Sequence, residues 1–333
     1  MAVLEVRDLR TSFFLRRGEL RVVDGVSLTI EEGEVLGLVG ETGSGKSVTA
    51  YSIVGLLKRP GQVVGGEVLW DGRDLRTMTE RQLDQEIRGR QVSMIFQSTR
   101  EALNPVIKVG KQLTQVLEIK RRMTKEEARK EAVRILRSVH ISEPERRLEA
   151  YPHELSGGMA QRMMIAIALS ARPRLLIADE PTTALDVTTQ YQIIQLLREL
   201  RKETGMAILL ITHDLALAAE LCDRIAVLYA GRLCEVGRLE NIFTSPRHPY
   251  THALLQSRPR LGMTGEIPEI PGAVANLMQP PSGCRFHPRC PNATRRSQEE
   301  QPELVSMEPG QLVACHNPMP VAERERVKAG VGG

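Results

Sequence analysis

The chain has 333 residues, of which 41% are hydrophobic, so it is long enough for one large or two moderate domains with a buried core. Its 45 basic and 41 acidic residues leave a net charge of +4, which excludes an intrinsically disordered chain and argues against a dedicated nucleic-acid-binding protein. No run of about 18 uninterrupted apolar residues predicts a membrane span, and the first residues do not resemble a secretory signal. Five cysteines in a chain of this length do not indicate a disulfide scaffold, so we expect a reducing, cytosolic compartment.

Short aliphatic runs alternate with helical patterns along the first 244 residues. One helix is predicted from Lys46 to Leu57, directly after a buried strand. The runs that predict strands are Val35–Val39, Val92–Phe96, Leu175–Ala178, Met206–Ile211 and Ile225–Leu228. This alternation is typical of an α/β fold with a mostly parallel sheet.

Two regions depart from that alternation. Between residues 98 and 165 the pattern is helical, and Thr124 and Glu127 have the spacing of a capping box. Of the 19 prolines, 13 lie from Ser245 onward, which indicates a loop-rich extension. We therefore predict an α/β core made of residues 1–97 and 166–244, a helical insert at 98–165, and a C-terminal extension at 245–333.

A glycine-rich motif follows the first predicted buried strand. Residues 40–47 satisfy the pattern G-x-x-x-x-G-K-[ST], whose glycines allow a tight loop with backbone N–H groups turned onto phosphate oxygens. The helix that begins next adds the positive end of its dipole. Lys46 can reach the β- and γ-phosphates, and the Ser47 hydroxyl can bind Mg²⁺. The predicted phosphate-binding residues are Gly40, Thr42, Gly43, Ser44, Gly45, Lys46 and Ser47.

Two carboxylates end another apolar run. Asp179 and Glu180 follow Leu175–Ala178, and such a pair alone is usually a solvated strand end. Together with the phosphate loop, the pair predicts hydrolysis, with Asp179 in the Mg²⁺ shell and Glu180 as the base that activates water.

The segment Leu155–Arg162, with the sequence LSGGMAQR, resembles the LSGGQ signature of ABC ATPases. The resemblance covers essentially the whole chain and implies a P-loop ABC ATPase core. In this family ATP lies between the phosphate loop of one subunit and the signature of the other, so Ser156, Gly157 and Gly158 are expected to contact the ATP of the opposite subunit. Met159 replaces the final glutamine of the signature, a change that this branch of the family commonly shows.

The resemblance assigns roles to further residues. Gln97 matches the Q-loop residue that contacts Mg²⁺ and senses the transmembrane partner, and Ala184–Asp186 matches the D-loop at the dimer seam. His213 matches the switch histidine that hydrogen-bonds the γ-phosphate. Phe13 resembles the aromatic residue that stacks on adenine, with Phe14 as a close alternative. The implied catalytic residues are therefore Lys46, Glu180 and His213.

The extension points to one branch of the family. Ser245–Leu255 and Gly283–Pro291 resemble the oligopeptide and dipeptide importer ATPases, in particular their D-type subunit. This implies an ATPase on the cytoplasmic side of the cell membrane that binds two transmembrane permease subunits and a second ABC ATPase, either an F-type homologue or a second copy. An extracytoplasmic substrate-binding protein would act indirectly, and no nucleic acid is expected.

Alternative functions stay open from sequence alone. Members of the same branch import nickel, glutathione or sugars, and nothing in the chain's own chemistry recognises a peptide. A soluble ABC ATPase acting on ribosomes or DNA is disfavoured, because the chain has one motif set and no coiled-coil pattern between its halves. A regulatory ATP-binding protein without turnover is disfavoured by the presence of Glu180 and His213.

The extension also contains Cys284, Cys290 and Cys315. Similar importer ATPases have four cysteines here, a pattern associated with an iron–sulfur cluster. Ser297 occupies the expected third position, and serine is a poor ligand for such a cluster. The alternatives are a cluster completed by another ligand, or three reduced thiols that pack a loop. Cys222 and Cys234 are interpreted as apolar core residues.

Overall fold

The structure is a computed structural model that describes residues 1–257 and 268–320. The chain forms two compact units. Unit 1 contains residues 1–3, 30–35 and 77–211, and unit 2 contains residues 4–29, 36–76 and those described from 212 onward. Parts of the predicted extension, 258–267 and 321–333, lie outside the described residues, and the domain boundaries drawn from the sequence stay a prediction.

The strands alternate with helices through the central part of the chain. The strands are β1 Ala2–Leu15, β2 Gly18–Glu31, β3 Val35–Val39, β4 Gly61–Trp70, β5 Arg73–Asp74, β6 Val92–Ile95, β7 Leu175–Asp179, β8 Ala207–Thr212, β9 Arg224–Tyr229, β10 Arg232–Arg238, β11 Val305–Glu308 and β12 Gln311–Val313. The helices are α1 Lys46–Ile53, α2 Glu80–Gln82, α3 Thr99–Ala102, α4 Val109–Arg121, α5 Lys125–Ser138, α6 Pro144–Arg147, α7 Gly157–Leu169, α8 Val187–Thr204, α9 Leu215–Leu221, α10 Leu239–Thr244, α11 Pro249–Gln256 and α12 Arg295–Glu299.

Unit 1 combines parallel strands with the predicted helical segment. β6 pairs with β7, and β7 pairs with β8, all in parallel. Every residue of β7 and β8 is buried, which explains their continuous apolar sequence. α5 begins at the predicted capping box, in which the Thr124 hydroxyl accepts from the backbone N–H of Glu127 at 3.4 Å. α4 packs on α5 and on α7, and its buried residues Val109, Leu113 and Leu117 lie along one side of the helix.

Unit 2 contains the phosphate loop and the extension. β3 and β9 pair in parallel, β9 pairs antiparallel with β10, and the extension adds β12 and then β11 to the same ladder. A second, antiparallel sheet has the strand order β2-β1-β4-β5. The extension is thus part of the sheet that positions the loop after β3.

The predicted strands are present: β3 has the predicted bounds, and the ends of the others differ by at most one residue. The helix from Lys46 is shorter than predicted, because it ends at Ile53 and Gly55 then adopts a φ of +66°, which terminates helices. The antiparallel sheet was not predicted. Its first two strands, β1 and β2, are long and are joined by a tight turn at residues 16–17.

Candidate active site

The phosphate loop lies between β3 and α1 and is packed against backbone on both sides. Gly45 has a φ of +103°, and a Cβ atom there would lie 2.6 Å from the carbonyl oxygen of Val22. A Cβ on Gly40 would collide with the carbonyl oxygen of Leu228. The carbonyl oxygen of Ser44 accepts from the N–H of Gly231 at 2.8 Å. The two glycines are therefore required by close backbone approach as well as by loop conformation.

Two side chains of the loop are buried with polar atoms facing it. Lys46 is 5% exposed, and its Nζ donates to the carbonyl oxygens of Gly40 at 2.8 Å and Glu41 at 3.0 Å. Ser44 is fully buried, and its Oγ has no hydrogen-bond partner among the described residues. A buried hydroxyl without a partner is costly, so a loop of this kind gains stability from an anion with acceptor oxygens. These features fit a phosphate.

The carboxylate pair lies in unit 1. Asp179 is fully buried as the last residue of β7, and Glu180 follows with a φ of +46°. The Glu180 Oε2 accepts from Gln97 Nε2 at 2.9 Å and from the Thr183 hydroxyl at 2.8 Å. The structure therefore brings together the predicted base and the predicted Q-loop residue. A non-glycine residue in the left-handed region costs about 1–3 kcal/mol, and such strain concentrates at functional sites.

The signature lies at the beginning of helix α7. Ser156 is the N-cap of α7, and its Oγ accepts from the N–H of Met159 at 3.3 Å. Gly158 packs against Thr189 of α8, where a Cβ would lie 2.8 Å from the Thr189 Cγ2. A Cβ on Gly157 would contact Leu185 at 3.4 Å, so the signature and the D-loop are neighbours within unit 1. Close packing therefore requires a glycine at Gly158, whereas a Cβ at Gly157 would make an ordinary van der Waals contact.

The D-loop ends at Asp186, which caps α8. The Thr189 hydroxyl and N–H donate to the Asp186 carboxylate at 2.7 and 3.0 Å, and these bonds lower its pKa.

The remaining predicted residues of the ATP site lie in unit 2. His213 is exposed between β8 and α9, and the adjacent Asp214 caps α9 by accepting from the N–H of Ala216 at 2.7 Å.

Phe13 pairs with Gly61 in the β1–β4 register, and its ring packs over that glycine. Phe14 is 48% exposed, and its N–H is bonded to Pro60. Phe13 and Phe14 lie on opposite faces of β1, because side chains alternate along a strand.

The cysteines of the extension do not offer an obvious cluster site. Among residues 1–257 and 268–320, no group of three or more His, Cys, Asp or Glu side chains is arranged to hold a metal ion. Burial raises the pKa of the Cys284 and Cys290 thiols and raises that of Cys315 to about 12. The Ser297 Oγ is already engaged with Thr294, where it completes the capping box of α12. The three cysteines of the extension alone do not supply the four thiolates of such a cluster.

Sequence reasoning missed several residues that contact the phosphate loop. Glu41 of the loop is bonded to Arg289 and to the hydroxyl of Tyr250, both from the extension. Away from the loop, the Cys234 thiol, interpreted as core packing, is buried, and its pKa is raised by burial and by the nearby Cys284, Glu235 and Cys315. Sequence spacing carries no signal for these contacts, because their partners are far apart in the chain.

The chain is similar to known families and proteins along most of its length. The ABC transporter family model matches residues 23–183, and the model of the oligopeptide/dipeptide transporter C-terminal region matches residues 234–296. The chain is 48% identical over 316 residues to a probable peptide ABC transporter ATP-binding protein, y4tR, from Sinorhizobium fredii, covering 94% of each chain. It is 48% identical to the oligopeptide transport ATP-binding protein OppD of Salmonella typhimurium, covering 95% of this chain and 94% of that protein. It is 45% identical to the dipeptide transport ATP-binding protein DppD of Escherichia coli, covering 97% of this chain and 99% of that protein.

A solved structure is also similar. The dimeric bacterial ABC transporter cassette MJ0796 matches with a TM-score of 0.64 and 31% identity, covering 71% of this chain and 98% of that one. The same cassette has been solved in a post-hydrolysis state bound to ADP and Pi. The chain therefore belongs to the ABC transporter ATP-binding subunits, in the oligopeptide/dipeptide branch. It is an ATP-binding subunit with the α/β cassette fold, and such subunits work with membrane permeases. None of its described helices is both long and apolar enough to span a bilayer.

Proposed function

We propose that this chain hydrolyses ATP to drive the import of dipeptides or oligopeptides, docked on the cytoplasmic face of two permease subunits. The observation that carries the proposal is the pairing of a complete set of ATPase motifs with an extension that matches the oligopeptide/dipeptide transporter C-terminal region. Nickel, glutathione and sugars remain the alternative cargoes within the branch.

The residues of the phosphate loop bind the triphosphate. Backbone N–H groups of residues 40–47 face phosphate oxygens, the Ser44 hydroxyl gains an acceptor, and Lys46 exchanges its carbonyl partners for the β- and γ-phosphates. Phe13 stacks on the adenine.

The family resemblance assigns Mg²⁺ to Ser47, Asp179 and Gln97, whose hydroxyl, carboxylate and amide oxygens are hard ligands of the kind that Mg²⁺ takes. When bound, the ion neutralises charge that develops on the β- and γ-phosphates.

Glu180 is the base that orients and deprotonates the attacking water. Gln97 and Thr183 hold its Oε2, so the carboxylate has a fixed orientation before the reaction. His213 hydrogen-bonds the γ-phosphate. Ser156, Gly157 and Gly158 of the signature bind the ATP of a second ABC ATPase subunit, which is either an F-type homologue or a second copy.

The permeases dock on a groove in unit 1. A cavity of about 440 Å³ is lined by apolar side chains from β6, α4 and α7 and by the segment after Gln97. Leu103, Asn104 and Ile107 line the cavity and lie within residues 97–111, which we propose as the floor of the groove, and Ile119 is 58% exposed at its rim. An amphipathic helix of the permease would bury this surface.

The docking site is tested by adding one negative charge. Ile119→Asp should abolish copurification of the permeases with the tagged chain in detergent while leaving ATP binding intact. Ser142→Asp, an exposed residue that does not line the groove, is the matched control. Permease crosslinks that map to the extension and never to residues 97–111 would contradict this site.

The ATPase assignment is tested with Glu180→Gln and Lys46→Ala. Loss of a positioned base costs about 10²- to 10⁴-fold in rate without removing a nucleotide contact, so the Gln variant should bind ATP and accumulate a closed dimer. The Ala variant should bind ATP weakly and close little. Near-normal turnover of the Gln variant in the assembled transporter would refute the role of Glu180. Uptake of labelled dipeptide and oligopeptide, with nickel, glutathione and sugars as competitors, tests the cargo.

A further inference from the structure

The extension is bonded directly to the phosphate loop through one buried ion pair. Arg289 Nη1 lies 2.7 Å from Glu41 Oε2, and Arg289 Nη2 lies 3.1 Å from Glu41 Oε1. The Arg289 side chain is 4% exposed and that of Glu41 is 25% exposed. A bidentate arginine–carboxylate pair that is partly removed from water is stronger and more directional than a fully exposed surface pair.

Arg289 uses every N–H donor of its guanidinium. Besides Glu41, its Nε donates to Pro271 O at 2.8 Å, Nη1 to the Tyr229 hydroxyl at 3.4 Å, and Nη2 to Ile270 O at 3.1 Å. Burial alone would lower the Arg289 pKa, but Glu41 and Tyr229 raise it above its ordinary value. The side chain is therefore fixed in position, and a lysine cannot reproduce this arrangement.

Glu41 is held by the extension and in turn contacts the catalytic lysine. Its backbone N–H donates to the Tyr250 hydroxyl at 2.9 Å, and its carbonyl oxygen accepts from Lys46 Nζ at 3.0 Å. Tyr250 and Phe286 pack on Tyr229 with ring centroids 4.7 and 5.2 Å from its ring. The aromatic cluster thus gives the Glu41 contacts a rigid base.

Charge gives a second reason for the pair. Glu41 places a carboxylate within a loop that binds a polyanion, and an unpaired negative charge there would oppose ATP. Arg289 cancels that charge where the phosphates bind. We propose that Arg289 is a positioning residue for ATP, which acts through Glu41 by fixing the phosphate loop and neutralising its carboxylate. The inference rests on the proposed function only in taking residues 40–47 as the ATP site.

The test compares variants of the full chain by equilibrium binding of a fluorescent ATP analogue, with KM and kcat measured in the assembled transporter. Arg289→Gln should weaken ATP binding about tenfold and raise KM to match, because the phosphate loop is no longer held and the Glu41 carboxylate is left unpaired. The kcat should stay within about threefold, because no group that contacts the reacting atoms is changed. Arg289→Gln combined with Glu41→Gln should recover to within about threefold of the unmodified chain, since the unpaired carboxylate is gone. Arg295→Gln breaks an exposed pair with Glu299 in the same extension and should change nothing.

Three outcomes overturn the inference: ATP binding of Arg289→Gln within twofold of normal, a loss of kcat with KM unchanged, or a double variant that is weaker than the single one. If Arg289→Gln does not fold, Arg289→Lys decides, with an expected loss of about threefold and a contrary result if binding is normal. Failure of the proposed ATP site is seen separately, as an unmodified chain whose ATP binding does not respond to Lys46→Ala.

Discussion

Acidification should destabilise unit 2 through one buried histidine. His248 is 1% exposed, its Nδ1 accepts from the N–H of Tyr250 at 3.0 Å, and burial lowers its pKa from 6.5 to about 3. The folded chain therefore keeps this imidazole neutral, whereas the unfolded chain protonates it below its ordinary pKa. Because the unfolded state binds the extra proton between about pH 6.5 and pH 3, the free energy of unfolding falls as the pH falls through that window.

The size of the loss follows from the pKa difference. Each pKa unit corresponds to about 1.4 kcal/mol, so at about pH 5 the chain loses about 2 kcal/mol relative to neutral pH. The neighbouring Glu235 acts in the opposite direction, because burial raises its pKa and its protonation in the folded state offsets part of the loss. A variant that changes only His248 separates the two contributions.

The measurement is urea unfolding at about pH 7 and pH 5, followed by the fluorescence of Trp70, the single tryptophan, which is buried in unit 2. His248→Asn keeps a side-chain acceptor for the N-terminus of α11 but cannot titrate. The unmodified chain should lose about 2 kcal/mol more than this variant over the pH interval. Equal losses in the two proteins would refute the assignment of a neutral buried imidazole.

Two further perturbations probe the loop and the extension. Gly45→Ala should lower the free energy of unfolding by about 3 kcal/mol or more and abolish ATP binding. Gly43→Ala is the control, because its Cβ would meet nothing within 4 Å, and it should cost about 1–2 kcal/mol. Equal urea midpoints for the two variants would contradict the packing argument. Aerobically purified chain should contain little iron by metal analysis, and Ser297→Cys should raise that content. Stoichiometric iron in the unmodified chain would contradict this and implicate Cys234, whose thiol interacts with Cys284 and Cys315.

The parts of the site that are local in sequence could be predicted. The glycines and Lys46 of the phosphate loop stand within eight consecutive positions, and the cap of α7 by Ser156 follows from adjacent residues. The contact between Gln97 and Glu180 required knowledge of which parallel strands are neighbours, and the resemblance to ABC ATPases supplied roles for both residues but not their mutual hydrogen bond.

Long-range contacts and irregular segments could not be predicted. Arg289 and Glu41 are separated by 248 positions, and an arginine in a proline-rich loop has no pattern that marks it as buried. The antiparallel sheet has no clear sequence pattern, because β1 and β4 mix charged and apolar residues. Register shifts near Arg10 further interrupt the alternation by which a strand is recognised. The sequence shows Ser297 only as a serine where a cysteine ligand is expected. Its role in the capping box of α12 depends on the local backbone conformation, which the sequence does not show.

The way the extension joins the sheet limits how the gene can be divided. β12 pairs with β10, with Glu235 opposite Val313, and Gln311 Nε2 donates to the buried Glu235 carboxylate at 2.6 Å. A chain that ended at Thr244 would leave the edge of β10 open and the Glu235 carboxylate without these partners, and exposed strand edges promote aggregation. The ATPase of this subunit is therefore not a portable module that could be expressed, fused or exchanged without its last residues, although the motifs for ATP chemistry all precede them.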